Sequence, residues 1–135
     1  MGFVLHQRLA ADTLAVGELG LSRVLMMNDA RYPWVILVPR VAGLRELHEL
    51  DREVRIRLQD ESCAVAGYLV QRFAPVKLNI ASLGNLVSQY HLHHVVRYDD
   101  DPAWPGPVWG HSPAVPYTAE AARERLSDLR CGLGL

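Results

Sequence analysis

Two hydrophobic rhythms run through this chain of 135 residues. The runs "SRVLMMND" and "PWVILVPR" are short, apolar and rich in strand formers. Between them "NDARYP" supplies Asn, Asp and Pro for a turn, so the pair predicts a hairpin with Pro33 opening one strand and Pro39 closing it. "LAVGELG" before the hairpin has a less regular strand pattern. The rhythm then lengthens. Leu47, Leu50, Val54, Leu58, Val65 and Leu69 keep the three-to-four spacing of one buried helical stripe, broken only near Glu61. Arg52, Arg55, Arg57, Asp60 and Arg72 fall mostly on the other side, and Pro75 stops the helix because the residue before a proline resists helical geometry. "VKLNIAS" and "QYHLHHVVRY" read as two further strands joined by "LGNLVS". "DDDPAWPGPVWGHSPAVP" holds too many prolines for either regular element and is expected to be a loop. "TAEAARERLSDLRCGLG" closes as a short helix, with Thr118 as N-cap and Gly132 as stop. Strands, one long helix and more strands predict an α+β fold, with a mainly antiparallel sheet of about five strands. No internal repeat or low-complexity tract divides the chain, so residues 1–135 are read as one domain.

Composition narrows the function. A chain near this size typically buries ~68–70% of its unfolded surface, and half of these residues are hydrophobic. The net charge of -1 supplies no basic field for nucleic acid. No apolar run approaches the ~18 residues of a membrane helix, and "MGFVLHQRLAAD" lacks the pattern of a signal peptide. Cys63 and Cys131 are too few for a disulfide framework and read as reduced small hydrophobes. The expectation is a soluble cytoplasmic protein with no nucleic-acid or membrane partner.

Candidate chemistry concentrates in "SQYHLHHVV", which holds three of the six histidines. On a strand Gln89, His91, His93, Val95 and Arg97 share one face, while Tyr90, Leu92, His94, Val96 and Tyr98 share the other. The second face is apolar enough to lie under the helix, and His94 is read there as a core histidine satisfied by a neighbour. Gln89, His91 and His93 form a polar ladder, and leaving such groups buried without partners costs about 1–3 kcal/mol each. Three readings stand at this point: a hydrogen-bonded structural cluster, a metal site, or a nucleophile with its helpers. His-x-His is a ligand pattern, but it needs a third ligand, for which His111 and the Asp99-Asp100-Asp101 run are the candidates. A neutral imidazole attacks phosphorus when one ring nitrogen is free and the other is held by an acceptor. A glycine-bearing loop immediately upstream, "SLGNLVS", suits that chemistry because its backbone N–H groups can gather phosphate oxygens.

The stretch "GNLVSQYHLHHV" resembles the loop and triad signature of the histidine triad (HIT) family of nucleotide hydrolases and transferases, His-φ-His-φ-His-φ-φ, without a gap. The alternative register, with the triad at His91, His93 and Val95, loses the loop match. The similarity runs from about Leu19 to Arg97, and "AWPGPVWG" is similar to a bacterial branch of the family. The resemblance implies a HIT-like fold and a covalent route. His91 would attack the α-phosphate of a nucleoside phosphoramidate or dinucleoside polyphosphate, and His93 would contact the phosphate and help the leaving group. Gly84 and Asn85 would cradle phosphate, and Asn28 or Asp29 would hold the ribose. It further implies a homodimer and a small-molecule nucleotide substrate, with no metal and no other cofactor. Two positions depart from the pattern. Gln89 replaces the first histidine and is confined to orientation, since an amide exchanges no proton near neutrality. Leu86 replaces a hydroxyl that touches the phosphate bridge. The alternatives are a nucleotide-binding module with little catalysis and a His-x-His metal protein. Trp34, Trp104 and Trp109 are read mainly as packing, with a wall for the base as the functional option. Arg40 and Arg97 are read as solvated surface charges that would otherwise meet phosphate.

Overall fold

The computed structural model describes residues 2–135. The elements, in chain order, are α1 (Gln7–Asp12), β1 (Thr13–Glu18), β2 (Ser22–Met27), β3 (Trp34–Pro39), α2 (Arg52–Phe73), β4 (Lys77–Ala81), β5 (Leu92–Arg97) and α3 (Ala119–Leu133), with a single 3-10 turn at Leu47–Glu49 before α2. The strands form one antiparallel sheet in the order β1-β2-β3-β5-β4. The β2–β3 hairpin is the one expected from "NDARYP", in the register Leu25↔Ile36. β5 is an interior strand, pairing Ile36↔His93 on one side and Ala81↔His93 on the other.

Alternation in the strands builds two cores. Val24, Met26, Val35, Leu37 and Val96 face α2 and α3, where Val65, Leu69 and Leu129 meet them. Leu25, Trp34, Ile36, Val38 and Val95 face the other way, under α1, the loop before β5 and the segment after it. His91 and His93 therefore belong to the face without the long helix, as the period of two requires.

Four expectations need correction. The long helix begins at Arg52, not Leu47. Leu50 keeps the period but sits in extended backbone after the 3-10 turn, and Leu47 is exposed. Helix α3 stops at Gly134, which takes the left-handed conformation at φ 70°, and not at Gly132. Gly132 is instead where α3 meets Tyr68 of α2: a Cβ there would lie 1.9 Å from the ring. Helix α1 was not expected at all. Arg97 is not a surface charge, and Arg40 is only partly exposed. Arg97 is 1% exposed, gripped by Asp101 through two bonds of 2.8 and 2.9 Å, with Asn79 at 2.7 Å. Arg40 ties the β1–β2 turn by donating to the carbonyls of Leu19, Gly20 and Leu21 and to Glu18. Both cysteines are unpaired. Among the described residues no helix is long and apolar enough to cross a membrane.

Candidate active site

The turn before β5 carries a glycine because Gly84 adopts φ +74°, a region that side chains disfavour. Asn85 and Leu86 project at the tip of this turn, and Val87 anchors it in the core. His91 comes just before β5 and His93 within it; both are buried, at 6% and 4% exposure. They line one side of a cleft of about 410 Å³ that also takes Gly84, Asn85, Asp29 and Trp109 into its wall. So the structure brings together His91, His93, Gly84, Asn85 and Asp29 from the sequence-derived set. Two members of that set stay outside.

Gln89 is one. Its side-chain oxygen accepts from the His6 backbone N–H at 2.8 Å and its amide donates to the Val4 carbonyl at 2.8 Å. The side chain therefore fastens the N-terminal arm, which leads into α1, and α1 supplies Arg8, Leu9 and Asp12 to the cleft wall. Orientation of His91 comes from the backbone of residue 89 instead: the His91 Nδ1–H donates to the Gln89 carbonyl at 2.7 Å. Asn28 is the other. Its side-chain oxygen accepts from the Tyr117 N–H at 3.0 Å, which orders the approach to α3. Asp29 stays as the cleft acid, but Arg31 clamps it through bonds of 3.0 and 2.9 Å. Burial alone would raise the Asp29 carboxyl; the hydrogen bonds from Arg31, with that of Val115 N–H, bring it below the usual carboxylate range.

Three imidazoles sit close together with different hydrogen-bond assignments. His91 has its proton on Nδ1, so its Nε2 carries the lone pair and has no protein partner among the described residues. His93 receives the Trp34 indole N–H on Nδ1 at 3.0 Å. The two rings lie 4.9 Å apart, centre to centre. Burial, then the neighbouring His91 and His94, push the His93 pKa down to about 3. His94 is fully buried on the opposite face, with Ser62 Oγ 2.7 Å from Nε2 and the Val35 carbonyl 3.3 Å from Nδ1. It is the satisfied core histidine that the alternation predicts.

No three His, Cys, Asp or Glu side chains converge as a metal site among the described residues. His111 hydrogen-bonds Ser112, and Asp101 is committed to Arg97. The proline-rich segment, expected as a loop, has no helix or strand, yet it returns over the sheet and puts Val108, Trp109, Gly110, Ser112 and Ala114 into the cleft. Trp34 and Trp109 thus pack on each other at 5.9 Å and also face the cavity, while Trp104 lies over Arg97 at 5.6 Å. Sequence reasoning missed α1 and the return of residues 108–114. Only the proline and tryptophan density hinted at the second.

A family model described as HIT domain matches residues 8–100. Among solved structures, a histidine triad protein from Marinobacter aquaeolei VT8 shares 53% identity at TM-score 0.97, over 99% of this chain and 98% of that one. A histidine triad protein from Bradyrhizobium japonicum matches at 41% identity and TM-score 0.95, over 98% and 99% of the two chains. One from Sinorhizobium meliloti 1021 matches at 40% identity and TM-score 0.93, covering 96% of each. No curated protein matches the chain.

Proposed function

Because the chain belongs to the HIT domain family, we propose that it is a nucleotide hydrolase or nucleotidyl transferase working at the α-phosphate through a nucleotidyl group carried on His91. The observation that carries this reading is the 2.7 Å bond from His91 Nδ1–H to the Gln89 carbonyl. It fixes the tautomer so that Nε2 offers a lone pair from a cleft wall that also holds Gly84 and Asn85. A nucleophile oriented by a hydrogen bond on its other nitrogen needs no external base to be ready. His91 Nε2 bonds to phosphorus as the bond to the leaving group breaks, and water then attacks the phosphorus and frees the mononucleotide.

The charge inventory favours a phosphoramidate over a dinucleoside polyphosphate. Arg8 and Asp12 pair loosely at 3.6 Å, Asp29 is neutralised by Arg31, and His93 stays uncharged near neutrality. A substrate with one negative charge at the scissile phosphate suits that balance. Several anionic phosphates would be desolvated with little to meet them. Leu86, 79% exposed at the cleft, offers no hydroxyl to a phosphate bridge, which points the same way. Leu9, Val87, Val108 and Trp109 give the base an apolar wall.

We also propose that the protein works as a homodimer. β4 is an edge strand with Ile80 46% exposed, and α2, packed over β5, leaves Ile56 and Val70 uncovered. Light scattering reads the assembly directly.

The test of the chemistry is His91→Ala with an adenosine phosphoramidate. Turnover is expected to vanish while AMP affinity stays within about tenfold, because ground-state contacts largely remain. Brief exposure of the wild-type protein to substrate, followed by denaturation and mass analysis, should show one added nucleotidyl group on the peptide containing His91. An active His91→Ala protein, or an adduct elsewhere, removes His91 from this role. AMP binding without adduct or product would leave a nucleotide-binding module.

A further inference from the structure

We infer that Trp34 is a positioning residue that locks His93 with its proton on Nε2, so that His93 gives the reaction a hydrogen bond and delivers no proton to the leaving group. The inference rests on the phosphoramidate reading above for its role in the reaction, and on geometry alone for the lock.

An indole N–H donates and never accepts. With Trp34 Nε1 3.0 Å from His93 Nδ1, that ring nitrogen must present its lone pair. The one proton of the neutral ring then sits on Nε2. Adding a second proton at Nδ1 would set two N–H groups against each other where neither has water to turn to, for Trp34 is 6% and His93 4% exposed. Neither ring can swing aside, because Trp109 packs edge-on against both, at 5.9 and 5.3 Å. The groups around His93 also give an imidazolium no counter-charge. His91, Trp34 and Trp109 are its ring neighbours, Ile36 and Ala81 pair with it across the sheet, and His94 follows on the other face. Of the cleft's charged side chains, Asp29 is taken by Arg31 and Asp12 pairs with Arg8. Burial acts in the same direction and leaves the ring neutral throughout the physiological range.

A general acid must hold a proton it can surrender, and a neutral imidazole does not surrender Nε2–H in water. The chemistry balances without it. As the bond from His91 Nε2 to phosphorus forms and the P–N bond breaks, the electron pair goes to the amine nitrogen, whose proton comes from hydronium in the solvent. In the second step a water oxygen bonds to phosphorus, the pair of the P–Nε2 bond returns to His91, and the surplus proton goes back to the solvent as hydronium. His93 Nε2–H serves as a fixed donor in both.

The deciding experiment is 15N NMR of the histidine rings in the wild-type protein, paired with Trp34→Phe. The expected spectrum shows His93 Nδ1 bare and Nε2 protonated, unchanged from pH 5 to 8. Trp34→Phe should release the tautomer and lower kcat about tenfold, the weight of one hydrogen bond, with KM little changed. Wild-type kcat/KM should depend steeply on the basicity of the leaving amine. A proton on Nδ1, a His93 titration between pH 5 and 8, or an unaltered tautomer in Trp34→Phe overturns the lock. If the variant does not fold, the wild-type spectrum decides alone. A wild-type protein with bare Nδ1 but no phosphoramidate turnover overturns the reaction and leaves the lock standing.

Discussion

Replacing Asp101 by alanine strands a guanidinium in the interior, and the structure allows the consequence to be sized. The side chains of Arg97 and Asp101 are 2% and 4% exposed. Asp101 takes two bonds from Arg97 and three more from the backbone N–H groups of Tyr98, Ala103 and Trp104, at 3.1, 3.2 and 2.8 Å. Arg97 keeps Asn79 and the rings of Tyr32 and Trp104, none of which is an anion. Removing one partner of such a buried pair costs about 3–5 kcal/mol. For a domain of this length that lowers Tm by about 10–20 °C. Asp101→Asn keeps acceptor oxygen without the charge and should lose less. Acid tests the same pair. Burial by itself would raise the Asp101 carboxyl, but the Arg97 bonds and the backbone N–H groups of Tyr98 and Trp104 hold it below its ordinary value. A depressed carboxyl contributes stability that is fully present above the unfolded value, near ~3.9, and lost as pH falls through the lower folded one. Urea unfolding followed by circular dichroism at pH 7 measures the alanine variant without that complication. A loss of about 1 kcal/mol or less, the range of an exposed pair, would show that Arg97 finds water and would refute the reasoning.

Gln89→Ala should free the N-terminal arm: amides from Val4 to Asp12 would exchange hydrogen faster, and KM for a nucleotide substrate would rise several-fold more than kcat falls. Unchanged exchange would deny the side chain its fastening role. Lowering the pH should weaken the fold well before the carboxylates titrate. His93 and His94 are held neutral, with folded values of about 3 and about 4 against an ordinary 6.5. Stability from a depressed histidine is present above the unfolded value and lost below it. Between pH 7 and 5.5 each should therefore remove about 1 kcal/mol, read as a falling urea midpoint. A flat midpoint across that range would mean that both rings have reached solvent and titrate alike folded and unfolded.

What the sequence conveyed was what local periodicity and residue chemistry can encode. Alternation placed His91 and His93 on one face and His94 on the other, and proline with asparagine located the hairpin. It misplaced the start of α2 because Leu47 and Leu50 continue the helical spacing while their backbone does not. It missed α1, whose six residues are too few to show a period. Non-local partners account for the other errors. Arg97 looks like a surface charge until a turn four residues on brings Asp101 under it. Gln89 sits in the motif's first position, yet its amide answers to an arm more than eighty residues away in sequence. Asn28, likewise, is engaged by Tyr117. Residue type told what these side chains could bond, and only the fold chose the partner.

The arm that Gln89 fastens offers a way to watch the cleft from outside. Val4 is 79% exposed, although its carbonyl is held. A fluorophore on Val4→Cys, with the exposed Cys63 and Cys131 replaced by serine, would report through the chain itself on motion of the α1 wall. Ligand entry and release could then be timed in real use, with no probe near the histidines and no need for the substrate to be coloured.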